Sequence, residues 1–99
     1  VIALSLRATL DVARLEEHYD QLGRPEAIRN LAYALAEASE KIENAPDAGL
    51  TAPRPYPSLA KPGRLWLHVR RYWIAYSIKT PPVMLAVFYD TANIPERLE

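Results

Sequence analysis

Residues 44–63 decide how this chain can be built. The segment carries Pro46, Pro53, Pro55, Pro57 and Pro62, together with Gly49 and Gly63. Proline lacks the amide proton that helices and sheet ladders use, so regular structure is largely excluded here. The chain is thereby split into two parts that follow different rules. Before the segment apolar residues recur at helical spacing, and after it they form β-rich runs. A connection of about twenty residues is long for a compact domain, and such loops are often functional or mobile. Its PRPYP run suits either a polyproline II ligand for an aromatic groove or a stiff surface loop pinned by Tyr56 and Leu59.

In the first part, Ile2, Leu4, Leu6 and Ala8 alternate with Val1, Ala3, Ser5 and Arg7, a period of two that predicts an opening strand. Thr9 or Asp11 then caps a helix, because either side chain accepts from the free amides of a first turn. The stripe Val12, Leu15, Tyr19 and Leu22 follows, stopped by Gly23. Pro25 opens a second helix without losing a hydrogen bond, with the stripe Ile28, Leu31, Ala32, Leu35, Ala38 and Ile42. The short Gly23-Arg24 link makes the pair an antiparallel helical hairpin.

The second part predicts strands at Arg64–His68, Tyr72–Lys79 and Val83–Tyr89, with turns near Val69–Arg71 and at Thr80-Pro81-Pro82. Leu65 and Leu67, then Tyr72, Ile74, Tyr76 and Ile78, then Val83, Leu85 and Val87 point to the helices. The tail Asp90–Glu99 is polar, with Ile94 and Leu98 as anchors. Residues 1–99 thus read as one α+β domain of order β-α-α-β-β-β, its helices on one face of a three-stranded antiparallel meander.

Composition removes several functional classes. The 99 residues include no Cys, which excludes a disulfide scaffold, a thiolate zinc site and a cysteine nucleophile. With only His18 and His68, little remains for a histidine metal site or triad, so no metal or cofactor is expected. His18 reads as a solvated helical residue, and His68 has no carboxylate partner identifiable from spacing. The three glycines are isolated, so no phosphate loop exists. Twelve Lys+Arg balance twelve Asp+Glu, which argues against direct DNA binding by the chain alone. The apolar start is interrupted by Arg7 well short of the ~20 residues a membrane span needs, so no membrane partner and a cytoplasmic address are expected. The absent initiator Met implies a processed chain or missing first residues.

The alternate strand positions carry Arg64, Trp66 and His68, then Trp73, Ala75 and Ser77, then Met84, Ala86 and Phe88. A single helical layer leaves that face in water, where polar residues are usual. Trp66, Trp73, Met84 and Phe88, with Arg70 and Arg71, are therefore read as a partner-binding surface, since aromatics and Arg dominate interface hot spots. The rival reading has the tail or the Pro-rich loop folded over this face. A third has Arg64, Arg70, Arg71, Trp66, Trp73 and Tyr89 binding single-stranded nucleic acid.

The stretches LSLRA, DVARLEEHYDQLG, NAPDAG and RYWIAYSIKTPPVMLAVFYDTANIPERL together make the chain resemble the RelE/ParE superfamily of toxins from bacterial type II toxin–antitoxin modules. The resemblance implies a cognate antitoxin, in a hetero-oligomer, and one of two activities. RelE-type toxins cleave messenger RNA on the ribosome with Arg, Lys and Tyr side chains, usually including an Arg after the Tyr that opens the third strand. Here Trp73 follows Tyr72, and Asp90 to Asn93 carry no cation. A ribonuclease would have to rely on Arg64, His68, Arg70, Arg71 and Tyr89. ParE-type toxins lack the ribonuclease set and poison DNA gyrase by protein–protein contact. In this sequence Tyr89 stands where such relatives often carry His. The expectation adopted is a ParE-like, gyrase-inhibiting binder with no catalytic residue, with a RelE-like ribosome-dependent endoribonuclease as the alternative.

Overall fold

The structure, a computed structural model, describes residues 2–98. Val1, expected in the opening strand, and Glu99, expected to end the tail, lie outside the described residues. Eight elements follow in order: β1 (Ala3–Leu4), α1 (Leu6–Gln21), α2 (Pro25–Asn44), a 3-10 turn (Pro57–Leu59), β2 (Arg64–Val69), β3 (Tyr72–Ser77), β4 (Val83–Tyr89) and α3 (Ile94–Leu98). The sheet order is β1-β4-β3-β2, parallel between β1 and β4 and antiparallel elsewhere. This is the α+β arrangement that the sequence predicts, with α1 and α2 on one face.

The opening strand is shorter than its alternation suggests, because Ser5 caps α1. Its hydroxyl accepts from Ala8 N at 3.1 Å and donates to Leu85 O at 3.2 Å, fixing the helix start against β4. Leu6, which a continued strand would bury, is 78% exposed. Neither expected cap serves as one. The Thr9 hydroxyl donates to Ser5 O, and Asp11 lies inside α1, where its Oδ2 accepts from Val87 N at 3.0 Å.

The first core lies between sheet and helices. Tyr19, Leu31, Ala34, Ala38 and Ile42 pack there on Val69, Tyr72, Ile74, Tyr76 and Val87. A register shift between Ala75 and Tyr76 alters one prediction. Tyr76 pairs with Met84, so Met84 is buried on the helix side while Leu85 packs against the opposite cluster. A bulge exchanges faces in this way because side-chain direction has a period of two.

The opposite face corrects the expected exposed surface. Trp66, Trp73 and Phe88 are buried with Ala75, Ala86 and Ile94 in a second core, flanked by Tyr56, Leu59, Ala92 and Leu98. Loop and tail meet over it, with the Tyr56 hydroxyl donating to Ala92 O at 3.4 Å. Covering this face removes large aromatic area from water, which outweighs the ordering of two short segments. The rival reading of this face therefore holds.

The Pro-rich segment is a surface loop and not a polyproline II ligand. Tyr56 N donates to Pro53 O at 2.9 Å across a turn, and Pro53 is fully buried. Leu50 exchanges two backbone hydrogen bonds with Trp66, at 2.8 and 2.7 Å, closing part of the free edge of β2. The neighbouring Gly49 sits so close that a Cβ would meet the Tyr76 hydroxyl at 2.6 Å. That hydroxyl donates to Pro46 O at 2.8 Å and accepts from Gly49 N at 3.2 Å, tying the loop to β3.

Candidate functional site

A single polar stripe on α1 begins the site. Arg7, Asp11, Arg14 and His18 recur at helical spacing beside the apolar flank of Leu15 and Tyr19. They form one wall of a cleft of about 950 Å³. Arg24 closes it at the α1–α2 turn, Arg70 and Arg71 project from the β2–β3 turn, and Arg97 comes from α3. Six arginines from four parts of the chain thus line one cleft.

Among the described residues, the only carboxylate in that lining is Asp11, which is 7% exposed and fully engaged. Its Oδ1 accepts from Arg7 Nε at 3.1 Å while its Oδ2 holds Val87 N. Arg7 also donates to the carbonyls of Arg97 and Leu98, anchoring the end of α3, and its guanidinium lies 5.4 Å from the Phe88 ring centre. Arg14 is exposed, and neither it nor Arg97 has a side-chain hydrogen bond or ion pair among the described residues. At the turn, Arg24 Nε is 3.2 Å from Glu26 Oε1. A backbone hydrogen bond first, and then Arg24, hold the Glu26 carboxyl below the usual carboxylate range.

The β2–β3 turn consists of Arg70 and Arg71 alone, since Val69 pairs with Tyr72. Arg70 takes φ 57°, a left-handed conformation that costs a side-chain-bearing residue roughly 1–2 kcal/mol. Arg70 lies 5.6 Å from the Tyr33 ring centre and 3.5 Å from Glu37 Oε1. Arg71 lies 5.3 Å from the Tyr89 ring centre and 3.3 Å from Asp90 Oδ2. Each guanidinium thus lies over an aromatic ring, and of the two rings Tyr89 lines the cleft while Tyr33 does not.

Tyrosines supply the floor. The Tyr19 and Tyr72 hydroxyls share a 2.6 Å hydrogen bond, and Tyr89 packs edge-on against Tyr72 at 5.7 Å. Burial first, then the bond from Tyr19, pushes the Tyr72 phenol well above the ordinary range. It therefore stays protonated and acts as a hydrogen-bonding group, not as a base. Among the described residues, no group of three or more His, Cys, Asp or Glu side chains is placed to hold a metal.

The residues singled out from sequence separate into four places. Arg70, Arg71 and Tyr89 line the cleft, together with Phe88. His68 stands beside it, its Nε2 3.3 Å from Asp90 Oδ2 and its ring 4.7 Å from Trp73. Arg64 is at the other end of β2, donating to Leu59 O and lying over Trp66, with burial lowering its pKa. Trp66, Trp73 and Met84 belong to the two cores. The sequence reading did not include Arg7, Arg14, His18, Tyr19, Arg24, Tyr72 and Arg97 in a site, although all line the cleft. The helical spacing of Arg7, Asp11, Arg14 and His18 was the one signal available.

What the arrangement can do is bind an extended anion. Guanidinium groups offer paired donors to carboxylate or phosphate oxygens, and a concave wall of one sign focuses the field on such a ligand. Compared with known proteins, the chain matches no family model and no curated protein.

Proposed function

We propose that this chain is the toxin of a type II toxin–antitoxin module, ParE-like in action, which inhibits DNA gyrase through protein–protein contact and is neutralised by a cognate antitoxin. One observation carries the proposal: six arginines line a cleft in which, among the described residues, the one carboxylate is buried and already paired. Arg14 and Arg97 have no side-chain partner among the described residues, so the cleft can take an anionic group of a partner, and it can bind without a catalytic group. The β-α-α-β-β-β order agrees with the fold the superfamily resemblance implies. With the tryptophans buried, the binding role moves from the sheet face to the cleft.

A RelE-like ribonuclease is favoured only by the presence of Arg70, Arg71 and Tyr89 in the same cleft. The other two members of that set, His68 and Arg64, lie outside its lining.

Purified protein added to a gyrase supercoiling and cleavage-complex assay, and in parallel to a translation and mRNA-cleavage assay, decides between them. Blocked supercoiling with intact message supports the proposal, and Arg14→Glu should weaken that block. Cleaved ribosome-bound message with normal gyrase activity would replace it with the second reading. Silence of a folded protein in both assays would refute both.

A further inference from the structure

We infer that the groove between β1 and α2 takes an extended, cationic segment of a partner protein, added to the sheet as a strand beside β1. The groove has a volume of about 420 Å³. Among the described residues it shares no lining residue with the arginine cleft, so its occupant is independent of what the cleft binds. Ile2, Leu4, Leu35, Ala36 and Met84 supply its apolar surface. Met84 is there because the bulge turns it to the helix side, and its flexible thioether adapts to what packs on it.

The backbone decides the shape of the occupant. β1 is an edge strand, since the sheet order is β1-β4-β3-β2. Ser5 N donates to Met84 O at 2.9 Å, so the alternation of a parallel ladder turns Ala3 and Ser5 toward β4 and Leu4 away from it. The Leu4 N–H and C=O thus face outward at the groove. Ile2 shares their side, and its amide donates to Ser39 Oγ on α2 at 3.4 Å, which closes one end. At the opposite edge Leu50 exchanges two backbone hydrogen bonds with Trp66, whereas among the described residues no segment pairs with the outer side of β1. Unpaired strand groups beside an apolar wall are what strand addition uses.

Charge decides its chemistry. Glu40 and Glu43 stand on the rim, and no cation lines the groove among the described residues. Glu40 is exposed and has no side-chain partner among the described residues. Both carboxylates lie near the C-terminal end of α2, where the free carbonyls already make the helix end negative. Anions at that end disfavour the helix, and a Lys or Arg of the partner relieves both charges at once. A nucleic-acid strand is repelled by the same carboxylates. A second copy docked symmetrically brings its own Glu40 and Glu43 to the contact and sets like charges together.

The test is a titration of the intact chain with the capped peptide TVTVTKT, followed by amide NMR shifts. Its reverse, TKTVTVT, is titrated too, because either strand direction fits. One of the two should shift the amides of Leu4, Ala36 and Glu40 and leave those of Arg14 and Arg97 unmoved. Glu40→Lys should weaken binding about tenfold, as one exposed attraction becomes a repulsion. Glu17→Lys makes the same charge change at an exposed site on α1 and should alter binding less than about threefold. Methylating the threonine amides in one derivative, and the valine and lysine amides in another, separates strand addition from charge pairing. Alternate amides face β1, so one derivative should lose binding and the other keep it. Circular dichroism confirms that both protein variants are folded. Unmoved amides at β1, or shifts at the arginine cleft instead, would overturn the inference. Equal binding of peptides with glutamate for lysine, equal weakening by the two variants, or indifference to both methylations would do the same. So would a dimer of the free chain that shifts those same amides with concentration, since a second copy would then be the occupant. Gyrase inhibition is measured apart, so its failure leaves this groove untouched and the converse holds.

Discussion

Asp11→Ala tests how the fold and the cleft depend on one carboxylate. Asp11 lies inside α1 and is 7% exposed. Its Oδ2 accepts the Val87 amide at 3.0 Å, on a stretch of β4 that β1 does not pair with. Its Oδ1 accepts Arg7 Nε at 3.1 Å. Removing the carboxylate strands a buried amide, which costs about 1–3 kcal/mol. The lost pair with the one-third exposed Arg7 adds about 0.5–1 kcal/mol after solvent screening. The sum of roughly 2–4 kcal/mol should lower Tm by about 10–25 °C in a chain of this length. Urea unfolding followed by the fluorescence of Trp66 and Trp73 measures the change directly. Asp11→Asn keeps an acceptor for Val87 and should lose about half as much. If Asp11→Ala costs less than about 0.5 kcal/mol, or if Asn is as damaging as Ala, the account of this contact is wrong.

Three further outcomes follow from the packing. Trp73→Ala should cost about 3–5 kcal/mol in urea unfolding, because Trp73 is 3% exposed, and a loss under about 1 kcal/mol would place it on the surface. Gly49→Ala should destabilise by about 1–3 kcal/mol, since the new methyl meets the Tyr76 hydroxyl at 2.6 Å and Leu65 Cβ and Trp66 O at 3.0 Å. An unchanged urea midpoint would show that the loop can yield there. Tyr72, whose folded pKa is raised, stays protonated above pH ~10 while the unfolded chain ionises, so its share of stability is present below pH ~10 and fades as pH rises further. Urea midpoints at pH 9 and 11 should therefore fall less in Tyr72→Phe than in the parent chain, and equal falls would count against the buried hydroxyl pair.

The two cores also bear on how the cleft is held. α3 is only five residues long, yet Ile94 is fully buried in the second core and Arg7 donates to the carbonyls at the helix end. The same Arg7 is tied to Asp11, and Asp11 to β4. The wall that carries Arg97 is thus joined to the wall that carries Arg14 through one chain of hydrogen bonds. Loosening the tail should therefore weaken the cleft as well as expose the tryptophans.

The sequence by itself determined the order from β1 to β4, because that depends on local rules, while α3 read only as a polar tail with Ile94 and Leu98 as anchors. Prolines in 44–63 separate the helical from the β part, Pro25 starts α2, and Val83–Tyr89 is a strand with the limits its composition suggests. The helical hairpin was legible for the same reason, whereas the turn near Val69–Arg71 has no Gly or Asn to mark it. Period alone misplaced the start of α1, since alternation through Leu6 competes with a Ser5 cap that is completed only by Leu85 across the sheet. Tertiary structure alone decided which faces are covered. The far face of the sheet reads as exposed until the loop and α3 are placed on it, and the bulge that turns Met84 inward depends on strand pairing. The cleft was the least legible feature. Arg7, Arg24, Arg71 and Arg97 are far apart in the chain, and only the docking of α1 and α3 on β4 brings their charges together. Net charge is a sum over residues, whereas the field at a surface depends on where the fold puts them.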